Sequence, residues 1–230
     1  VLPGLKGFRI DLTQGYQAYN EDTNALYTTY RDVGGFNPGW FLPVFFFVTS
    51  FYHFALGTFA SKQYTYVLER RENPFRWDEY AITSSFMIVV IAMFFGVNDV
   101  TQLMLIFAAN AAMNFFGTCM ETTQVPGKPV DWRPFFFGSF VGVVPWIAIL
   151  FYFFSNPNGI PEGVPAFVYA IVATYFLFFF SFAVNMLLSY LQTGPWSDYR
   201  FGERGYMILS LVSKTLLGWL VFGGLFQPNN

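Results

Sequence analysis

The chain has 230 residues, 54% hydrophobic and 23% aromatic, with 32 phenylalanines and only 11% charged residues. Soluble domains carry about 25% charged residues, so this composition cannot cover a water-facing surface, whereas lipid tails solvate Phe, Leu and Val. A formal net charge of −2 argues against nucleic-acid and polybasic roles, and a single Cys119 and a single His53 supply neither an intrachain disulfide nor a Cys- or His-rich metal site.

Residues 1 to about 38 are polar, with Lys6, Arg9, Asp11, Glu21, Asp22, Arg31 and Asp32, and turn formers at Gly34, Gly35 and Pro38. Short Tyr/Thr runs broken by Asn and Asp suit a small β-hairpin or loop at the membrane interface, with no spanning segment. No charged stretch followed by a short apolar run opens the chain, so no cleavable signal peptide is expected.

Six apolar segments follow, at about 40–60, 75–97, 100–120, 134–154, 164–191 and 205–226. Their length and unbroken apolarity predict helices, since a membrane barrel would alternate polar and apolar residues over about 10 positions. Asn98-Asp99 supplies a break and a helix cap before the third segment. The expected fold is an all-α membrane bundle, with residues 39–230 as one transmembrane domain behind the segment 1–38.

Loop charges orient the bundle. Lys62, Arg70, Arg71 and Arg76 lie between the first two segments, Lys128 and Arg133 between the third and fourth, and Arg200 and Arg204 between the last two. The alternate loops (98–101 and 156–163) and the C-terminal tail hold no Lys or Arg. The positive-inside rule places the basic loops in the cytoplasm, and the C-terminus and residues 1–38 outside.

An ionisable side chain inside a bilayer is a functional candidate by default. Lys214 lies too deep in the last segment to snorkel, and Glu79, in the second, is the obvious counter-charge. Either the two form a structural ion pair, or the lysine carries a ligand. Ser210 lies one turn before Lys214 and Thr83 one turn after Glu79, with Ser84 beside it. His53 and Asn110 add polar groups, and Met87, Trp146, Phe179 and Trp219 offer apolar walls. A long polyene tied to one amine would need polar chemistry at one end and apolar walls beyond it.

The stretches "FRWDEYAITSSFMIVVIAMFFGVND", "IFAANAAMNFFG", "GVVPWIAILFYF", "VPAFVYA" and "GERGYMILSLVSK", in order over residues 40–226, resemble the heliorhodopsins, a family of microbial retinal proteins. The resemblance implies all-trans retinal on Lys214 as a Schiff base, Glu79 as its counterion, Ser210 as a supporting hydroxyl and His53 in a nearby polar cluster. It implies the same inverted orientation that the loop charges give, in the membrane of a microbe or of a virus-infected host. It also implies a homodimer, and an unidentified membrane or soluble signalling partner. Family members have seven helices, and residues 1–38 resemble only the loop after the first. A missing first helix, six helices of an expected seven, is therefore favoured over a genuine six-helix protein, and would leave one pocket wall open and a second histidine absent.

Asp78 precedes Glu79 but points about 100° away on a helix, so it is expected to face the interface or another helix. Pumping requires titratable stations on both sides of the Schiff base. Ser210 stands where pumping relatives have a second acid, Val90 where they have a donor, and no carboxylate other than Glu79 is expected deep in a segment except Asp99. A light sensor is expected rather than a pump or an enzyme, with a passive light-gated proton conductance, as in viral relatives, or a non-photoactive transporter or scaffold as alternatives. Gly138 and Gly142 form a G-x-x-x-G step that serves either self-association or packing within one chain.

Overall fold

The computed structural model describes residues 9–37, 40–155 and 166–225. Lys6, Pro38, the loop at 156–163 and the tail after 225 lie outside the described residues. The polar N-terminal stretch forms an antiparallel hairpin of β1 (Ile10–Asn20) and β2 (Ala25–Phe36), in register from Ile10↔Phe36 to Asn20↔Ala25. The Asn20 Oδ1 accepts from the Asp22 and Thr23 amides at 2.9 and 3.2 Å, which closes the turn. A bulge between Leu12 and Thr13 is accommodated by Gly34 at φ 120°, where a side chain would be strained.

Helix α1 (Phe41–Gly57) bends by 83° into a short helix α2 (Ser61–Glu69), followed by α3 (Pro74–Phe94), α4 (Val100–Thr122), α5 (Arg133–Phe154), α6 (Ala166–Tyr190) and α7 (Tyr199–Leu225). The basic stretch after the first segment is thus partly helical, not a plain loop. Helix α7 also begins earlier than the apolar pattern suggests, because the Asp198 carboxylate accepts the Arg200 amide at 3.0 Å and caps the first turn. Among the described residues, four helical stretches are long and apolar enough to cross a membrane: α3, α4, α5 and Val172–Tyr190 of α6; α1 with α2 makes a fifth if the bent pair is one span.

Helix α3 is the most enclosed, and the core forms around it in two zones. Toward the hairpin, Met87 to Met93 pack with Phe45, Leu103, Ile106, Trp146, Ile149, Tyr175 and Leu217. Toward the basic loops, Trp77 and Tyr80 pack with Met120, Met186 and Tyr206. Small residues set the helix spacing. A Cβ at Gly117 would stand 2.5 Å from the Trp77 ring, and one at Gly142 2.4 Å from the Met113 sulfur. One at Gly138 would stand 2.9 Å from the Phe116 Cβ. The G-x-x-x-G step of α5 is therefore filled by α4 of the same chain. Pro145 inside α5 removes one intrahelical hydrogen bond beside the buried Trp146.

Asp99 ties the hairpin to the bundle. Its Oδ1 accepts the Gln102 amide at 3.0 Å, capping α4, while its Oδ2 accepts the Gly15 amide at 2.9 Å. The Thr13 amide adds a bond to the Asn98 carbonyl at 2.9 Å. The Gly15 hydrogen bond, then those from α4, hold the Asp99 carboxyl below its usual range. The carboxylate's contribution is therefore present above the unfolded value of about 3.9 and lost as pH falls through the lower folded value. Acidification should release the Gly15 amide to hydrogen exchange before the helices loosen. An exchange rate at Gly15 that is unchanged down to the acid unfolding of the bundle would refute this coupling.

Candidate functional site

Lys214 and Glu79 are both buried, and the Lys214 Nζ donates to the Glu79 Oε1 at 2.5 Å. That oxygen also accepts from the Thr49 hydroxyl at 2.6 Å and the Thr83 hydroxyl at 3.1 Å. Three helices, α1, α3 and α7, thus converge on one carboxylate. Thr49 went unnoticed in the sequence because a threonine in an apolar helix usually bonds its own backbone; only the approach of α1 to α3 reveals its role. The Lys214 nitrogen also lies 5.3 Å from the centre of the Tyr80 ring, an electrostatically favourable position for a cation.

Lys214 lines a cavity of about 180 Å³ between α3, α4, α5, α6 and α7. Beside it stand Ser210, Ser213 and Thr83; farther along are Met87, Trp146 and Phe179. Trp146 meets Phe179 edge-on at 5.6 Å between ring centres. Along one wall, the Asn110 amide donates to the Ser84 and Ser85 hydroxyls at 2.7 and 3.0 Å, and Asn114 donates to Ser84 at 3.1 Å. The Asn110 Oδ1, the Trp146 Nε1 and the Tyr175 hydroxyl are buried without a protein partner, so the cavity keeps a few polar atoms for a ligand or water.

The structure thus brings Lys214, Thr83, Ser84, Met87, Asn110, Trp146, Phe179 and Ser210 together around one space, with Glu79 paired to Lys214 beside it. Ser210 lies against the Tyr80 hydroxyl. His53 does not join them: it is exposed on α1, whose Thr49, one turn earlier, is the residue that reaches Glu79. Trp219 is 68% exposed and also stands outside, because α7 turns that side away from the bundle. Asp78 is exposed too.

A second polar centre was not expected. Arg76, Glu121 and Glu203 are all buried, although composition places Arg76 and Glu203 in polar loops and Glu121 at a helix end. The Arg76 Nη1 pairs with Glu203 and its Nη2 with Glu121. The Asn73 amide donates to the Glu121 Oε2, and the Asn73 Nδ2 to the Glu203 Oε2, each at 2.7 Å. The Arg76 guanidinium lies 4.0 Å from the Tyr206 ring centre and 4.6 Å from that of Trp77. Glu121 lies in the last turn of α4 and Glu203 in the second turn of α7, so neither is deep in an apolar segment, yet both are buried within the protein. Pairing with Arg76 is the physical reason, since a buried charge is tolerated when matched and hydrogen-bonded.

These features define a class: a helical membrane protein with a buried amine, paired to a carboxylate, on the wall of an apolar cavity rich in aromatic side chains. The chain matches the heliorhodopsin family over residues 1–226, nearly its whole length, and belongs to that family. No curated protein matches it. Membership makes it a retinal-binding, light-sensing transmembrane photoreceptor. The residues present fit that group: a primary amine faces the cavity, a carboxylate adjoins it, and the walls are aromatic.

Proposed function

We propose that Lys214 holds all-trans retinal as a protonated Schiff base with Glu79 as counterion, and that the protein signals by a light-driven change of conformation. The observation that carries this reading is the buried Lys214–Glu79 pair, with Lys214 lining the aromatic cavity. Retinal supplies visible absorption and a light-driven isomerisation. Glu79 neutralises the nitrogen of Lys214, while Thr49 and Thr83 hold the carboxylate in place and occupy one of its oxygens. Ser210 and Ser213 keep the lysine end of the cavity polar. Met87, Trp146 and Phe179 exclude water from the apolar end.

Six spanning helices complete the proposal, α7 crossing as the sixth, with the basic loops in the cytoplasm and the C-terminus outside. Sensing is favoured over pumping because Val90, fully buried, offers no proton station, and Glu121 and Glu203 are both engaged by Arg76. Self-association as a homodimer would use the exposed strip Phe137, Phe140, Val144 and Phe151 of α5, since the glycine step is taken by α4.

Glu79→Gln should move the absorption maximum of the retinal-loaded protein to longer wavelength, because the chromophore cation loses the charge that localises it. An unmoved band would mean that another carboxylate is the counterion. Voltage clamp of the same protein in a membrane should show no light-evoked current; a sustained current would favour passive proton conductance instead.

A further inference from the structure

Helices α3 and α7 are joined mainly by side chains, α7 lying closer along its backbone to α6. Three ties cross between them at successive levels. Lys214 meets Glu79, the Tyr80 hydroxyl donates to the Tyr206 carbonyl at 3.0 Å, and Arg76 meets Glu203. Glu203 and Lys214 stand three turns apart on nearly the same face of α7, and Arg76 and Glu79 one turn apart on α3. Tyr80 and Tyr206 fill the space between the two ion pairs: the lysine lies over Tyr80, and the guanidinium over Tyr206.

The lower pair is asymmetric. Glu203 belongs to α7, whereas Glu121 belongs to α4, and each carboxylate takes one arm of Arg76 and one donor of Asn73. If α7 tilts away at this end, Arg76 keeps Glu121, and Asn73 keeps its backbone bond to the same residue. No cation is stranded in the interior, which is the costly outcome of breaking a buried pair. Glu203 lies in the second turn of α7, so a small tilt carries it to water. An ion pair that can open on one side while remaining neutralised on the other is a two-state element.

We propose that the Arg76–Glu203 pair is the output latch of this protein: with Arg76 retained on Glu121, its opening frees the cytoplasmic end of α7 after light acts at Lys214. This inference rests on the light-sensing reading above.

The test is hydrogen exchange of the full chain, reconstituted in lipid with all-trans retinal, followed in the segments 199–206 of α7 and 118–122 of α4. Illumination of the wild type should speed exchange in 199–206 and leave 118–122 protected. Glu203→Gln, which keeps the side-chain shape, should speed exchange in 199–206 by about tenfold or more in darkness, with little further gain in light. Asn73→Ala removes the Nδ2 bond to Glu203 and the cap that the Asn73 Oδ1 gives the Arg76 amide, but no charge; it should act in the same direction by less, and it stands in if Glu203→Gln does not fold. Glu121→Gln should leave 199–206 protected in darkness, because Glu203 still holds Arg76.

The latch is overturned if light leaves 199–206 unchanged in a pigmented wild type, or if Glu121→Gln exposes α7 as much as Glu203→Gln does. A wild type that takes up no pigment overturns the light-sensing reading instead. The dark comparison of the variants without retinal then still decides whether Glu203 holds α7.

Discussion

Lys214→Ala should abolish the visible absorption band that the wild type acquires with all-trans retinal. Among the described residues Lys214 is the one amine lining the cavity, and alanine offers no nucleophile there. The effect is complete loss of the band, not a shift. Retinal that enters the apolar space non-covalently would absorb in the near ultraviolet as the free aldehyde. Adding a primary alkylamine to the Lys214→Ala protein should then restore part of the visible band, because the carboxylate of Glu79 remains to pair with an amine-linked cation. A visible band in Lys214→Ala without added amine would show that the attachment point lies elsewhere. The variant also leaves Glu79 with two hydroxyl donors and no cation, so the apoprotein should be less stable than the wild type.

Arg76→Leu should be the most destabilising single change at the other polar centre. It leaves Glu121 and Glu203 buried side by side without a counter-charge, and breaking a buried pair in this way costs about 3–5 kcal/mol. Thermal unfolding in detergent, followed by loss of helical circular dichroism, would measure it. The triple change Arg76→Leu, Glu121→Met, Glu203→Met should recover most of the loss, since well-packed hydrophobic residues of similar volume often replace a buried ionic triad at little cost. If Arg76→Leu alone unfolds at the wild-type temperature, the three charges are not held in the low-dielectric environment described here. The two centres therefore separate by readout: Lys214→Ala acts first on the pigment, and Arg76→Leu first on the fold.

Much of this organisation is legible in the amino-acid order. Low charge and long apolar runs dictate a membrane helix bundle, because lipid offers no partners for an unpaired backbone. Lys214 and Glu79 stand out since so few ionisable residues interrupt those runs, and an isolated charge there must find its opposite. Ser210 and Thr83 follow from the helical repeat, which places residues four apart on one face.

The rotation of each helix about its own axis is a different matter. With apolar residues on every side, the sequence does not say which face of α1 or α7 meets the bundle and which meets lipid. His53 and Trp219 therefore turned outward, while Thr49 turned in to Glu79. The choice between self-association and internal packing at Gly138 and Gly142 was equally closed to the sequence, because both uses require the same absence of a side chain. Composition assigned Arg76 and Glu203 to hydrated loops; the tertiary structure gathered them with Glu121 at the ends of three helices, where mutual neutralisation makes burial tolerable. By itself the sequence determined the membrane class and the two charges of the central pair, since these depend on which residues lipid can accept. Only the tertiary structure decided which hydroxyls serve that pair and which charges form the second centre, since these depend on how neighbouring helices are turned.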